Sequence, residues 1–196
     1  MSQAAPLSPS FDELYAQIEA LPRGVTGEIL EPGVIRTLSR PAKPHRWAAK
    51  RILLGLGEKD IGSGGTGWWI EVETEVRFGE RLAVPDLSGW RVERVPELPN
   101  ENPLTVMPDW CCGVLSPGTA RDDKRLKLPL YAASGVPWIW LVDPALRLLE
   151  IYETMKGRPA LAMTLAEDEK AAPPPFDIPL EVGSWWLPAV PPTKPR

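Results

Sequence analysis

Apolar residues recur along this chain at two spacings, and those spacings divide it into short helices and strands. Phe11, Leu14, Tyr15, Ile18 and Leu21 follow one another at helical intervals. Ser10 with Glu13 three residues on is a capping-box signature, and Pro22 closes the run. Thr26 to Leu30 and Val34 to Leu38 flank Glu31-Pro32-Gly33, which predicts a hairpin. His45 to Leu56 predicts a second helix, with Trp47, Ile52, Leu53 and Leu56 toward the core. From Trp68 to Phe78 the pattern has period two. Glu71, Glu73 and Glu75 fall on one side, and Ile70, Val72, Thr74, Val76 and Phe78 on the other, which predicts one half-buried strand. Leu82 to Leu87 predicts another strand, ending at Asp86.

The centre of the pattern is Met107 to Asp143. Trp110 to Leu115 is an apolar strand closed by Ser116-Pro117-Gly118. A polar stretch, Thr119 to Lys127, leads into a helix over Leu128 to Ala133. After Gly135-Val136-Pro137, a second apolar strand runs from Trp138 to Val142 and stops at Asp143-Pro144. The connection is long enough for a crossover, so these two strands are expected to lie parallel. Leu148 to Glu153 and Ala160 to Leu165 then form two strands around Lys156-Gly157-Arg158, while Arg91 to Pro103 is a Pro-rich loop. The segment from Ala171 holds 8 of the 24 prolines. It is expected to wrap the domain in extended form, anchored by Phe176, Ile178 and Trp185-Trp186-Leu187, with the last residues disordered. Together these elements predict one α/β (α+β) domain over 1–196, with a core at about 10–170 and a Pro-rich extension over 171–196.

Composition narrows the classes. At 196 residues and 43% apolar content the chain can bury a real core. It has no run of about 18 apolar residues to span a membrane. The opening residues have no basic flank or apolar core of a signal peptide, so the cytoplasm is expected. Cys111 and Cys112 are adjacent, so on a strand they point to opposite faces and are expected to be reduced core thiols. Net charge is −4, yet Pro32 to Gly57 contains no acid and carries Arg36, Arg40, Lys43, Arg46, Lys50 and Arg51. That segment is either a phosphate-contacting surface or an ordinary solvated face. Gly62 to Gly67 lacks the Lys-Ser/Thr pair of a phosphate loop, and no Ser-His-Asp order, Cys-x-x-Cys or dinucleotide fingerprint is present.

Several motifs stand in a fixed order: Val84-Pro85-Asp86-Leu87, Gly89-Trp90-Arg91, Pro108-Asp109-Trp110, Val114-Leu115-Ser116-Pro117, Lys127, Tyr131, Gly135-Val136-Pro137 and Trp140-Leu141-Val142-Asp143-Pro144. In order and spacing they resemble the Uma-type restriction endonuclease family of the PD-(D/E)XK nuclease superfamily, over roughly Gly27 to Ile151. The resemblance implies a restriction-endonuclease-like fold, a mixed β-sheet core flanked by helices, acting on DNA with Mg2+ or Mn2+ and often as a homodimer. Such chemistry needs carboxylates to hold the metal and a lysine to offset charge on the phosphate.

By resemblance, Asp86 is the first metal-binding acid and Lys127 the catalytic lysine. Gly113 stands where the family carries its second acidic ligand and offers only a backbone carbonyl, so catalysis is expected to be impaired. Asp109, four strand residues earlier, lies about 13 Å away and is too distant to replace it. Glu28, Glu75 and Lys124 are secondary candidates, and Glu73 shares a strand with Glu75. Arg40, Lys43, His45 and Arg46 are candidates for nucleic-acid contact. Each also has a plain structural reading: a turn-capping Asp86, a snorkelling Lys127 and exposed glutamates. The competing function is a non-catalytic DNA- or protein-binding module on the same fold.

Overall fold

The structure, a computed structural model, describes residues 9–38 and 40–188, so the expectations for the opening residues and for disorder at the last ones fall outside that range. α1 (Phe11–Glu19) opens with the anticipated capping box: the Ser10 side chain accepts from the Glu13 N–H, and the Ser10 N–H donates to the Glu13 carboxylate at 2.8 Å. Phe11, Leu14 and Ile18 pack on Ile29 and Leu82. The helix sits close to the strand beneath because Gly27 has no side chain; a Cβ there would come within 2.8 Å of Ile18 Cγ1.

Two sheets follow. β1 (Thr26–Glu31) and β2 (Val34–Leu38) form the hairpin and are joined by β4 (Val76–Phe78) and β5 (Arg81–Ala83) in the order β2-β1-β5-β4. The larger sheet contains β3 (Trp68–Val72), β6 (Leu87–Arg91), β7 (Trp110–Val114), β8 (Trp138–Asp143), β9 (Leu148–Met155) and β10 (Arg158–Ala166), in the order β10-β9-β8-β7-β6-β3. β7 and β8 pair in parallel, as the crossover requires, and the other pairs are antiparallel. The crossover is helical through its middle: α3 (Ala120–Asp122), a π turn at Asp123–Lys127, then α4 (Leu128–Ala133).

Two expected strands are broken, and the breaks place the site. The stretch from Trp68 to Phe78 divides at Glu73, a non-glycine residue at φ +50°, so β3 joins the large sheet and β4 the small one. Alternation survives the bend because both halves bury every second residue, each in a different sheet. The stretch from Leu82 to Leu87 divides in the same way between β5 and β6, across Val84-Pro85-Asp86. Pro85 has no N–H for either ladder. The chain therefore passes from the large sheet to the small one and back between Glu73 and Asp86, leaving Asp86 where the sheets meet. In the polar stretch before α4, Asp123 and Lys127 turn inward to the same junction while Arg121, Lys124 and Arg125 stay exposed, a pattern that apolar periodicity does not reveal.

Three apolar clusters hold these layers together. One face of the large sheet packs Trp68, Trp110 and Trp140 against α2 (Lys43–Gly55) and the C-terminal segment, which contributes Phe176, Ile178, Leu180 and Trp185. The other face packs Cys111, Ile139 and Leu141 against Tyr131 of α4 and Phe78 of the small sheet. In α2 the buried residues are Ala48 and Ile52, with Leu56 buried just past its end, while Trp47 and Leu53 are only half-buried. No described helix is long and apolar enough to cross a membrane.

Cys111 and Cys112 lie in opposite clusters and are both unbridged and fully buried. Burial pushes both thiols well above their ordinary pKa. In the native protein neither is expected to react with an aromatic disulfide reagent, whereas both react after denaturation. A thiol titrating in the folded protein at the rate of a free one contradicts this packing.

Candidate functional site

Asp86 immediately precedes β6, flanked by the ends of β3 and β7. β6 pairs Leu87 with Cys112 on one side and with Val72 on the other. One step further along both ladders puts Asp86 between Gly113 and Glu73. Two bonds agree with that register: the Glu73 N–H donates to the Asp86 carbonyl at 3.2 Å, and the Val114 N–H donates to Asp86 Oδ2 at 2.7 Å. His45, in the first turn of α2, brings Nε2 to 2.9 Å from Asp86 Oδ1. Burial works against the imidazolium, but the bond to Asp86 and the charges of Asp86, Asp123 and Glu73 outweigh it and raise its pKa. His45 Nδ1 is buried without a partner among the described residues.

Lys127 closes the π turn. Its ammonium lies 2.8 Å from Glu28 Oε1 and 3.3 Å from Asp123 Oδ1, and its side chain is 12% exposed. Burial opposes the ammonium too, but Glu28, Asp123 and the field of Asp86 hold it above its usual range. Glu28, on β1, is 1% exposed and also accepts the Val84 N–H at 2.7 Å. Burial pushes the carboxyls of Glu28 and Asp123 up, and Lys127 opposes the shift in both. Asp86, His45, Asp123 and Lys127, with Arg40 and Glu73, line one cleft of about 510 Å³.

Position 113 follows Cys112 on β7, one step along the ladder from the Leu87–Cys112 pair. Gly113 lies on the face of β7 that carries Cys111, and a Cβ added there would meet Leu141 Cδ2 at 3.4 Å, an ordinary contact. A side chain is therefore tolerated at its first atom, directly across the ladder from Asp86. Both Asp86 oxygens already have protein partners. Among the described residues no three His, Cys, Asp or Glu side chains are grouped to hold a metal ion.

The other candidates go elsewhere. Glu75 accepts from the Tyr15 hydroxyl at 2.7 Å and from Asn102 Nδ2 at 2.9 Å. Lys124 pairs with Glu150 at 2.7 Å. Lys43 is exposed at the start of α2, and Arg46 donates to the Pro41 carbonyl at 2.5 Å. Asp109 accepts the Arg91 N–H at 2.8 Å and Arg94 Nε at 2.9 Å, which fixes the loop after β6. Asp123 belongs to the cleft but was not singled out in the sequence. Its signal was its place four residues before Lys127, one helical turn, which puts the two side chains on one face.

A sequence model of the Uma2 family, described as "Putative restriction endonuclease", matches residues 12–182. The chain belongs to the Uma2 family. The resemblance read from the ordered motifs is thereby confirmed. The fold agrees with the crystal structure of a "putative nuclease belonging to DUF820" from Anabaena variabilis ATCC 29413. The two share 21% identity and a TM-score of 0.71, over 91% of this chain and 99% of the other. At that identity the likeness speaks for the fold alone. No curated protein matches the chain. Within the Uma2 fold, the junction that holds Asp86, His45 and Lys127 is the candidate site.

Proposed function

We propose that this Uma2 chain is built as a Mg2+- or Mn2+-dependent DNA endonuclease whose hydrolysis is impaired by glycine at position 113. The observation that carries the reading is the placement of Asp86 opposite Gly113, in a cleft that also contains the paired ammonium of Lys127. In this reading Asp86 and an acid at position 113 would hold the ion, which would activate water and neutralise the phosphate. Lys127 supplies fixed positive charge in a partly enclosed cleft, where it counts for more than in open water. His45 and Arg40 line the same cleft, and Lys43 and Arg46 extend the positive surface along α2. With residue 113 as glycine, what remains is phosphate recognition, so a DNA-binding module without turnover is the second reading, favoured by the missing acid itself.

The test is plasmid nicking with Mg2+ or Mn2+ by the protein as it stands, by Gly113→Glu and by Gly113→Glu with Asp86→Ala. Gly113→Glu is expected to raise nicking at least about tenfold, and adding Asp86→Ala to remove the gain. A folded Gly113→Glu protein that nicks no faster with either metal removes the case for the endonuclease reading.

A further inference from the structure

A second hollow, of about 260 Å³, opens beside the cleft, between α2 and the end of β3. Its walls are aliphatic: Ala49 and Leu53 from α2, Val72 from β3 and Leu87 from β6. Val72 is 49% exposed, an apolar side chain left open on an edge strand. Arg46 and Lys50, one helical turn apart and both exposed, stand at its rim. Pro41, His45, Glu73 and Asp86 line both hollow and cleft, so the two spaces adjoin across the Asp86–His45 pair.

A flat apolar body joined to an anionic backbone matches this combination. The cations suit phosphates, and the aliphatic walls suit the face of a nucleobase. In an intact duplex the bases are stacked and paired, so they cannot enter a side slot without extrusion, which an unpaired base avoids. We propose that the slot takes an unpaired base of a DNA strand whose phosphates lie against Arg46 and Lys50, and that the protein binds single-stranded or frayed DNA in preference to intact duplex. This rests on the cleft being a DNA site, as proposed above. Burial against Leu53 and Val72 does the work of the aromatic platforms found in other single-strand binders. Glu73, at φ +50° between the two spaces, carries the chain from the slot wall to the cleft.

The experiment is fluorescence anisotropy in EDTA, which separates binding from cleavage. The probes are one labelled single strand, the same strand in a duplex, and the same strand made wholly abasic. The base-bearing single strand is expected to bind about tenfold tighter than either alternative. Leu53→Gln, a neutral change that leaves phosphate attraction unaltered, is expected to abolish the difference while keeping affinity for the abasic strand. If Leu53→Gln melts early, Val72→Gln on the exposed edge carries the same comparison. Equal affinity for abasic and base-bearing strands, or a preference for duplex, overturns the slot while leaving the nuclease reading intact. Failure to bind any of the three at low salt overturns the slot together with the DNA site beneath it.

Discussion

Replacing Lys127 with methionine is expected to destabilise the protein by about 3–5 kcal/mol. The size follows from what is left behind. Glu28 and Asp123 are 1% and 5% exposed, and Lys127 is the cation that both touch. Methionine fills much of the volume but leaves two buried carboxyls facing each other, which must stay charged without a partner or take up protons. Glu28→Gln in the same background is expected to recover more than about 1 kcal/mol, because the amide oxygen still accepts the Val84 N–H without a charge. Chemical denaturation at neutral pH reads both changes. A loss for Lys127→Met within about 0.5 kcal/mol of zero would mean that the lysine is a surface residue after all.

Truncating Phe176 to alanine is expected to cost a similar amount, about 3–5 kcal/mol. Its ring is 2% exposed, with centroids 4.7 Å from Trp68, 4.9 Å from Trp110 and 5.6 Å from Trp140. The Trp140 indole N–H also donates to the Pro174 carbonyl at 2.8 Å, which ties the segment down two residues before the ring. Three rigid indoles cannot collapse into the void, so most of the cavity penalty stays. For a domain whose whole stability is on the order of 5–15 kcal/mol, that loss shows as a large drop in the denaturation midpoint. A shift corresponding to less than about 1 kcal/mol would mean that the Pro-rich segment lies on the domain without completing its core.

The parts legible in the sequence were those written in local spacing. Ser10 with Glu13 announced α1, and the two apolar runs around the crossover announced the parallel β7–β8 pair. Two features were hidden for a physical reason. Glu73 and Pro85 move the chain between sheets without disturbing its alternation, so two strands looked like one on each side of the turn. Asp123 looked like one more charge in a polar helix start, because its burial depends on Glu28 and Lys127, which are distant in sequence or on the next turn. The partners of Glu75 were likewise out of reach: Tyr15 is 60 positions away. Asp86, Lys127, His45 and Arg40 converge on one cleft because the two sheets meet there. The order of the motifs named the family, and the three-dimensional crossing of the strands brought them together.

The most direct measurement is a calorimetric Mn2+ titration of the protein as it stands, of Gly113→Glu, and of Gly113→Glu with Asp86→Ala. A glutamate at 113 is expected to tighten binding at least about tenfold, since a hard cation gains an anionic oxygen beside Asp86, and Asp86→Ala should return it to the level of the unaltered chain. Equal affinity in all three proteins, with the fold intact, would contradict the claim that residues 86 and 113 frame one site.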